Sequence, residues 1–444
     1  MNFRFAQHSR LWPWFFICTS VGLFWVPVTA VAQPKFEGRT AQYWTDQLDK
    51  KSKKAQDLAL EALRKLGVHG VQGLQHGLTN KVTEVRVGSA TALGGIGRPA
   101  AAAVPALAKA LADKQAAVRV ASANALGRIG QRPDVAVLPL ARTLKDRDAA
   151  TRTAAVGALG KYRVHAHPAV AMVARALRDK KVEVRVAAAR ALGEIGVEAE
   201  SVVPLLGKAT KDRSEDVRVQ ALLALSRFRE QAHVAFPVFV SALKDKEPRV
   251  RLQALQGLPV IGVTPAELLP PVVKACTDAD AQVRRLAVEL LGEAGPEQAR
   301  PALPILADAL KDSDSEVRLA AAQALEPWGR EALPVAKWIG AALADSSNDV
   351  RLAVIGIISR FGVDSRPMVP VLIGLLEDAD VAVVSRASLA LGAIGGAVGL
   401  KNIRKDPIFS TIPGALKRLK EHESSQVQAA GRQSLEQLKR GVSR

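Results

Sequence analysis

The sequence predicts an all-α fold, an α-solenoid of repeated helical hairpins. A Val-Arg dipeptide or a close variant returns every 33 residues from Val85 to Val283, and further anchors follow at Val317 and Val350. An aspartate stands five residues before nearly every anchor. The composition is 48% hydrophobic but only 4% aromatic, which suits thin layers of Ala, Leu and Val better than one large core. A fixed period of this length is typical of chains whose units bury their apolar faces only against their neighbours.

Each unit reads as two helices, and the unit from Asp179 to Lys211 shows why. Val184, Ala188, Leu192 and Ile195 recur at three- and four-residue steps, the period of an amphipathic helix. Gly196 is expected to end this helix in the left-handed conformation, as are Gly97, Gly130, Gly295, Gly329, Gly362 and Gly395 elsewhere. A second helix is expected to begin near a proline, because proline suits the first helical turn. These prolines are Pro105, Pro139, Pro204, Pro237, Pro271, Pro304, Pro334 and Pro370.

The pattern Asp-x-x-x-x-Val-Arg-x-x-Ala-x-x-Ala-Leu-Gly-x-Ile-Gly resembles the HEAT repeat, over roughly residues 40–440. It is similar to the short, Ala-rich HEAT-like repeats of the phycobilin-lyase (PBS lyase) type. The resemblance implies a right-handed superhelix of about eleven to twelve hairpins. It also implies a structural ladder of hydrogen bonds between adjacent hairpins, made by Asp113, Arg119, Asp146, Arg152, Asp179, Arg185, Asp212, Arg218, Asp245, Arg251, Asp278, Arg284, Asp312, Arg318, Asp345 and Arg351. Aspartate caps helix N-termini well, and an arginine fork matches a carboxylate.

The N-terminal 32 residues are expected to lie outside the repeats. Arg4 and Arg10 precede an apolar run over 11–32, and Ala30-Val31-Ala32 fits a signal-peptide cleavage site. The run is also long enough to span a bilayer, so a membrane anchor over 11–32 is the alternative. In either case the repeats are expected to be exported, in a bacterial periplasm or cell envelope.

The remaining boundaries follow from the regularity of the repeat. Residues 33–80 are interpreted as a capping segment with a first imperfect repeat, into which Trp44 and Leu48 are expected to pack. Residues 81–394 form the regular repeats, 395–413 an insertion, and 414–444 a degenerate C-terminal repeat or cap. The insertion is either a binding loop or a spacer.

The charge is strongly positive and unevenly distributed. The chain has a net charge of +19, and residues 97–200 carry 18 Lys/Arg against 9 Asp/Glu, while residues 301–400 carry 8 against 12. Much of the excess falls in two columns on the second helices, three residues apart and therefore on one helix face. We call the following eight residues the basic stripe: Lys109, Arg142, Lys145, Arg175, Arg178, Lys208, Lys211 and Lys274. By resemblance, this face lines the concave surface. The stripe is interpreted either as a surface for an anionic partner or as cations that complement helix dipoles on a solvated face.

No residue pattern in the chain indicates catalysis, and no metal or cofactor is predicted. Cys276, the only cysteine after the N-terminal segment, is interpreted as a small buried hydrophobe, and His165 and His167 lack a third ligand nearby. Trp328 and Trp338 lie close together and form either an exposed anchor or part of the core.

The preferred function is therefore non-enzymatic: an exported scaffold that binds another macromolecule, an acidic protein segment, on its concave face. Polyanion or nucleic-acid binding through the basic stripe is the alternative. A lyase-like or DNA-repair-like enzyme is suggested only by the resemblance of fold, which does not carry function. A protein partner or an acidic ligand is expected, no small-molecule substrate is evident, and membrane association is expected only if the N-terminal segment is uncleaved.

Overall fold

The predicted all-α solenoid is confirmed. The computed structural model describes residues 34–440, except for the side chains of residues 400 and 401, and the segment interpreted as a signal or anchor lies outside this range. Within the described residues the chain forms eleven helical hairpins, numbered here as repeats 1–11, followed by one final helix. Over the same range the only β-type pairing is an isolated bridge between Phe36 and Arg39.

The helices form two layers. The first helices of repeats 1–11, with the final helix, span Lys53–Lys65, Thr83–Ile96, Ala116–Ile129, Ala149–Lys161, Val182–Ile195, Glu215–Arg227, Pro248–Gly257, Ala281–Ala299, Ser315–Leu325, Asn348–Ser359, Val381–Val398 and Ser425–Arg440. The second helices of repeats 1–11 span Val71–Gly77, Val104–Ala110, Pro133–Thr143, Val170–Ala176, Ala199–Ala209, Phe236–Ala242, Pro265–Ala275, Leu303–Ala309, Ala336–Ala341, Val369–Gly374 and Ile412–Arg418. Short 3₁₀ turns join the helices in most repeats, and two further helices, Ala41–Gln47 and Leu400–Ile403, lie outside the hairpins.

Glycine and alanine set the spacing between successive first helices. A Cβ at Gly193 would lie 2.8 Å from Cα of Ala224 in the next repeat, and one at Gly127 would lie 2.9 Å from Cα of Ala158. No real Cβ tolerates such distances, so the first helices approach as closely as their backbones allow. The Ala-rich composition is thus a requirement of the stack, because close helix packing depends on small contact side chains.

Helix termination follows the prediction at some glycines and differs from it at Gly395. Gly97, Gly130 and Gly196 end first helices with positive φ, as predicted. Gly395 does not, and that prediction was wrong: the helix continues to Val398, and Gly399, with a φ of 79°, ends it. Gly395 is instead required by packing, since a Cβ there would collide with the side chain of Leu438.

Three of the second helices begin earlier than the positions of their prolines predicted. Pro139, Pro204 and Pro271 lie inside their helices, which start at Pro133, Ala199 and Pro265. In most other repeats the corresponding residues form a 3₁₀ turn, and Pro105, Pro237, Pro304 and Pro370 do occupy the first helical turn. Each of these internal prolines lies beyond the first helical turn and so removes one backbone hydrogen bond from its helix.

The two ends of the stack are closed by apolar contacts. Trp44 is buried in Ala41–Gln47, its indole N–H donates to the carbonyl of Phe36, and Leu48 is fully buried. Near the C-terminus, the segment interpreted as an insertion contains the end of a long helix, and its side chains Ile403 and Phe409 are buried.

One helix of the described chain, Val381–Val398, is long and apolar enough to span a membrane by length and composition alone. It is mostly buried and packs between its neighbours in the stack. We therefore treat this segment as a core helix of the solenoid.

Candidate partner-binding surface

In the described residues, nine arginine–aspartate ion pairs at one recurring position of the repeat connect successive repeats, and together they form a ladder. Arg185 shows the geometry: its Nε and Nη2 donate to both carboxylate oxygens of Asp212 at 2.8 Å, and its Nη1 donates to the carbonyl of Asp179 at 3.0 Å. Each arginine pairs with the aspartate of the following repeat, and the residue six positions before it offers a backbone carbonyl; that residue is Asn80 for Arg86 and an aspartate for the others. The pairs, at 2.6–2.9 Å, are Arg86–Asp113, Arg119–Asp146, Arg152–Asp179, Arg185–Asp212, Arg218–Asp245, Arg251–Asp278, Arg284–Asp312, Arg318–Asp345 and Arg351–Asp378.

The ladder side chains are nearly buried. The side chains of Arg185 and Asp212 are 6% and 15% exposed. Burial acts to raise the pKa of the Asp212 carboxyl, but hydrogen bonds from Arg185 and from the N–H of Ser214 hold that pKa below its usual value. The same balance lowers the pKa of Asp345, which pairs with Arg318. The carboxylates are thus committed to the ladder and are poor candidates for proton transfer.

Neutral residues end the ladder on both sides. In repeat 1, Gln56 takes the arginine position and donates to the carbonyls of Leu48 and Lys50, and Asn80 takes the aspartate position. At the other end, Val384 replaces the arginine, and Gln428 donates to the carbonyl of His422. These neutral ends leave no ladder charge without a partner repeat.

All eight residues of the basic stripe are exposed on the second-helix layer. Lys109, Arg142, Arg175, Lys208 and Lys274 occupy the last turns of their helices, and the other three follow at helix ends. Within residues 34–440, none of the eight forms an ion pair with a carboxylate. The stripe is therefore a row of uncompensated cations over repeats 2–5, with one further member in repeat 7.

A third basic column borders the stripe and was missed in the sequence. It occupies the residue directly after each ladder aspartate or its Asn80 equivalent, and all six members are exposed. We call it the turn column: Lys81, Lys114, Arg147, Lys180, Arg213 and Lys246. The signal was available, because these residues also recur at 33-residue intervals. The ladder fixes their backbone: Arg119, for example, donates to the carbonyl of Lys114 as well as to that of Asp113.

Most of the equivalent positions in later repeats are neutral or acidic. The turn column continues as Ala279, Ser313, Ser346 and Ala379, and the position of Arg142 becomes Asp308, Ala341 and Gly374. Lys311, the one later lysine in the stripe register, forms an ion pair with Asp308 at 3.2 Å. The stripe and the turn column thus give only the first part of the solenoid a basic face.

The remaining candidate residues have structural surroundings. Cys276 is buried, and burial raises the pKa of its thiol to about 12, so it holds no thiolate at neutral pH. His167 lies 2.9 Å from a carboxylate oxygen of Glu198, and no cluster of three or more metal-ligating side chains occurs in the part of the chain that the structure describes. Trp328 is buried, and Trp338 is half-buried with the Lys311 ammonium 5.2 Å from its ring centre.

The repeat geometry agrees with the family comparison. HEAT repeats match residues 71–160, 104–182, 137–226, 170–259 and 236–326, which together cover more than half of the chain. The chain belongs to the HEAT-repeat family. A comparison with curated protein sequences finds no match to this HEAT-repeat chain.

Karyopherins are among the solved structures with a similar fold. The HEAT-repeat chain is 13% identical to the karyopherin Kap121p in its complex with the extreme C-terminus of the protein phosphatase Cdc14p, with a TM-score of 0.57 over 90% of this chain and 49% of that one. For Kap95p with RanGDP the identity is 16% and the TM-score 0.52, over 90% and 62%. For importin beta the identity is 15% and the TM-score 0.54, over 90% of this chain and 60% of importin beta. The chain thus spans about half the length of Kap121p, and at these identities the likeness shows the fold alone.

Proposed function

We propose that this protein is an exported, non-enzymatic scaffold with HEAT-like repeats of the PBS-lyase type. It binds another macromolecule through an acidic protein segment, and the binding surface is the concave face lined by the second helices. The basic stripe and the adjoining turn column supply the positive side of the interface. The signal-like segment before Gln33 supports the proposed export.

One observation carries the proposal: uncompensated cations recur at fixed positions in successive repeats and then stop. Helix dipoles alone would favour cations at the C-termini of all the second helices, yet the later repeats place Asp308, Ala341 and Gly374 there. A partner that contacts only the earlier repeats accounts for the difference. The complex of Kap121p with the C-terminus of a protein phosphatase supports the view that such a fold can bind a protein segment.

Polyanion or nucleic-acid binding is the second candidate, and the turn column favours it. With this column the basic surface is three charges wide in repeats 3–5, broad enough to follow a phosphate backbone. Such binding weakens steeply with salt because each neutralised phosphate releases counterions.

Capture from envelope extract distinguishes the two candidates. The immobilised protein is incubated with extract at low salt, with and without nuclease, and the bound material is eluted by a salt gradient and identified by mass spectrometry. If an acidic protein segment is the partner, acidic proteins are expected in both samples. Capture that disappears after nuclease treatment would support the nucleic-acid candidate instead.

The export part of the proposal has its own measurement. N-terminal sequencing of the native protein is expected to begin at Gln33, directly after Ala32. A sequence that begins at Met1, with the protein retained in membranes, would establish the anchor.

A further inference from the structure

A continuous groove runs between the second helices of repeats 5 and 6. Three adjoining hollows, with volumes of about 870, 390 and 640 Å³, lie in a row along it. Pro204 and Val234 line both the first and the second hollow, and Lys211 and Val238 line both the second and the third. The shared walls make the three hollows one groove, which extends along the helix Ala199–Ala209.

The apolar side of the groove is open to solvent. Val234 is 73% exposed, the largest exposed fraction of any large hydrophobic residue in the described chain. Pro204 and Val238 continue this apolar surface. Gly207 leaves the centre wide, since a Cβ placed there would have only Val238 Cγ2 within 4 Å, at 3.4 Å. One repeat earlier the same register position carries the methyl group of Ala174.

The two ends of the groove carry opposite charges. Glu198 and Glu200 line the end at the helix start, while Lys208, Lys211 and Lys244 line the other end. None of these three lysines forms an ion pair within the described residues, and neither does Glu200. Glu198 is already held by His167. The lysine end joins the basic stripe, so the groove opens onto the surface already proposed to bind an acidic segment.

We propose that this groove is the docking site for one extended peptide segment of a protein partner. The segment places an apolar side chain over Val234 and Val238 and acidic side chains beside Lys211 and Lys244. The helix Ala199–Ala209 has 11 residues and is about 16 Å long, which corresponds to about five residues of extended peptide. The apolar and acidic residues of the partner are therefore expected about two to four positions apart. The inference rests on the proposed function and specifies the segment that is bound.

Two labelled peptides of equal composition test this arrangement. One contains two leucines, a Ser-Gly spacer and three glutamates in that order, and the other contains the same residues with leucine and glutamate interleaved. Fluorescence anisotropy measures their binding to the purified protein. The ordered peptide is expected to bind at least tenfold more tightly than the interleaved one.

Gly207→Leu fills the groove without removing any charge, and it should abolish the preference for the ordered peptide. The matched control is Ala174→Leu, which adds a leucine at the same register position of repeat 4 and should leave the preference intact. Circular dichroism melting checks that both variants fold. The lysine end of the groove is tested by a variant that combines Lys211→Glu and Lys244→Glu. This variant should bind the ordered peptide more weakly and should bind a version of it in which lysines replace the glutamates.

The outcomes separate the groove from the stripe. If both peptides bind equally and Gly207→Leu changes nothing, but Arg142→Glu with Arg175→Glu weakens both, the groove inference is overturned and the basic stripe remains a binding surface. If neither peptide binds at low salt, the groove and the acidic-segment proposal are both overturned. A preference for the ordered peptide that Gly207→Leu removes and Ala174→Leu leaves establishes the groove.

Discussion

Repeats 5 and 9 have the same interior and different surfaces. In both, an arginine of the first helix pairs with the aspartate of the next repeat, Arg185 with Asp212 at 2.8 Å and Arg318 with Asp345 at 2.6 Å. On the second-helix face, however, repeat 5 presents Lys208 and Lys211 where repeat 9 has alanines. In a repeat protein, one repeat can therefore serve as the control for another. Positions that stay constant through the stack are required by the fold, and positions that change between its two halves are free to serve a partner.

The largest effect on stability is expected from the ladder, and it should be equal in both halves. Arg185→Ala and Arg318→Ala each leave a nearly buried aspartate without its guanidinium partner, at a cost of about 3 kcal/mol. Because each repeat contacts only its neighbours, the loss should be local. Hydrogen exchange is expected to increase around residues 150–220 for Arg185→Ala, while binding at distant repeats persists. Wild-type protection around the mutated repeat would contradict the ladder's structural role.

The second largest effect on stability is expected from substitutions that disturb the close packing of the first helices. Gly193→Ala places a Cβ 2.8 Å from Cα of Ala224, and Gly292→Ala places one 2.8 Å from Cβ of Ala324. Each is expected to destabilise the protein by about 2 kcal/mol through overpacking, measured by chemical denaturation. Gly157→Ala is the matched control, since that position is helical with no atom within 4 Å of the added Cβ. It should stabilise by up to about 1 kcal/mol, from helix propensity alone.

The glycines of the first helices show how much of the fold could be predicted from the sequence. The repeat period and the apolar spacing predicted the first helices, and the resemblance to the HEAT repeat implied an inter-repeat ladder. A glycine in a repeat pattern, however, has two uses, to end a helix or to admit a neighbour. Gly196 ends its helix with a positive φ, whereas Gly395 admits Leu438 and the helix continues. Which of these two roles a glycine has depends on its distance to the next helix, and the local sequence does not give that distance.

The candidate site was predictable to a similar degree. The basic stripe and the turn column are periodic, so both can be found by aligning the repeats. The groove between repeats 5 and 6 is not periodic. It depends on one missing side chain at Gly207 and on the exposure of Val234 in the turn opposite. Such a feature emerges only when two neighbouring repeats are placed side by side.

Acid should weaken both halves alike. In the folded protein burial acts to raise the pKa of Asp212 and of Asp345, but hydrogen bonds from the ladder arginines and from backbone N–H groups outweigh it and hold both pKa values below the usual one. A carboxyl with a lowered folded pKa contributes its stability above its unfolded pKa, about 3.9, and loses it as the pH falls through the folded value. The free energy of unfolding is therefore expected to be nearly constant from pH 7 to 5 and to fall below about pH 4.

Denaturant titrations at each pH measure this acid dependence. Asp212→Asn and Asp345→Asn should each be less stable than the wild type at pH 7 and should show a smaller further loss on acidification. An equal loss in wild type and variants would show that these carboxyls do not set the acid limit.

The smallest effect on stability, and the sharpest difference between the halves, is expected from the basic stripe. Arg142, Arg175 and Lys208 occupy one column of three successive second helices, about 10 Å apart, and all three are exposed without an ion pair in the described structure. Individual contacts of such side chains are weak, about 0.2–1 kcal/mol, so they act together and mainly raise the association rate. Changing all three to glutamate should leave the melting temperature nearly unchanged and strongly reduce capture of the partner at low salt.

The later repeats provide the matched set for this variant. Asp308, Ala341 and Gly374 hold the same register positions, and changing them to lysine or glutamate should alter capture far less, because no basic row surrounds them. The measurement is the association rate at several salt concentrations, where screening beyond about 10 Å at 0.1 M should reduce the difference between wild type and triple variant. If the triple variant captures its partner at the wild-type rate in low salt, the stripe is a solvated helix face. The difference between the halves would then reflect helix-end charges alone, and the segment 395–413 would become the next surface to test.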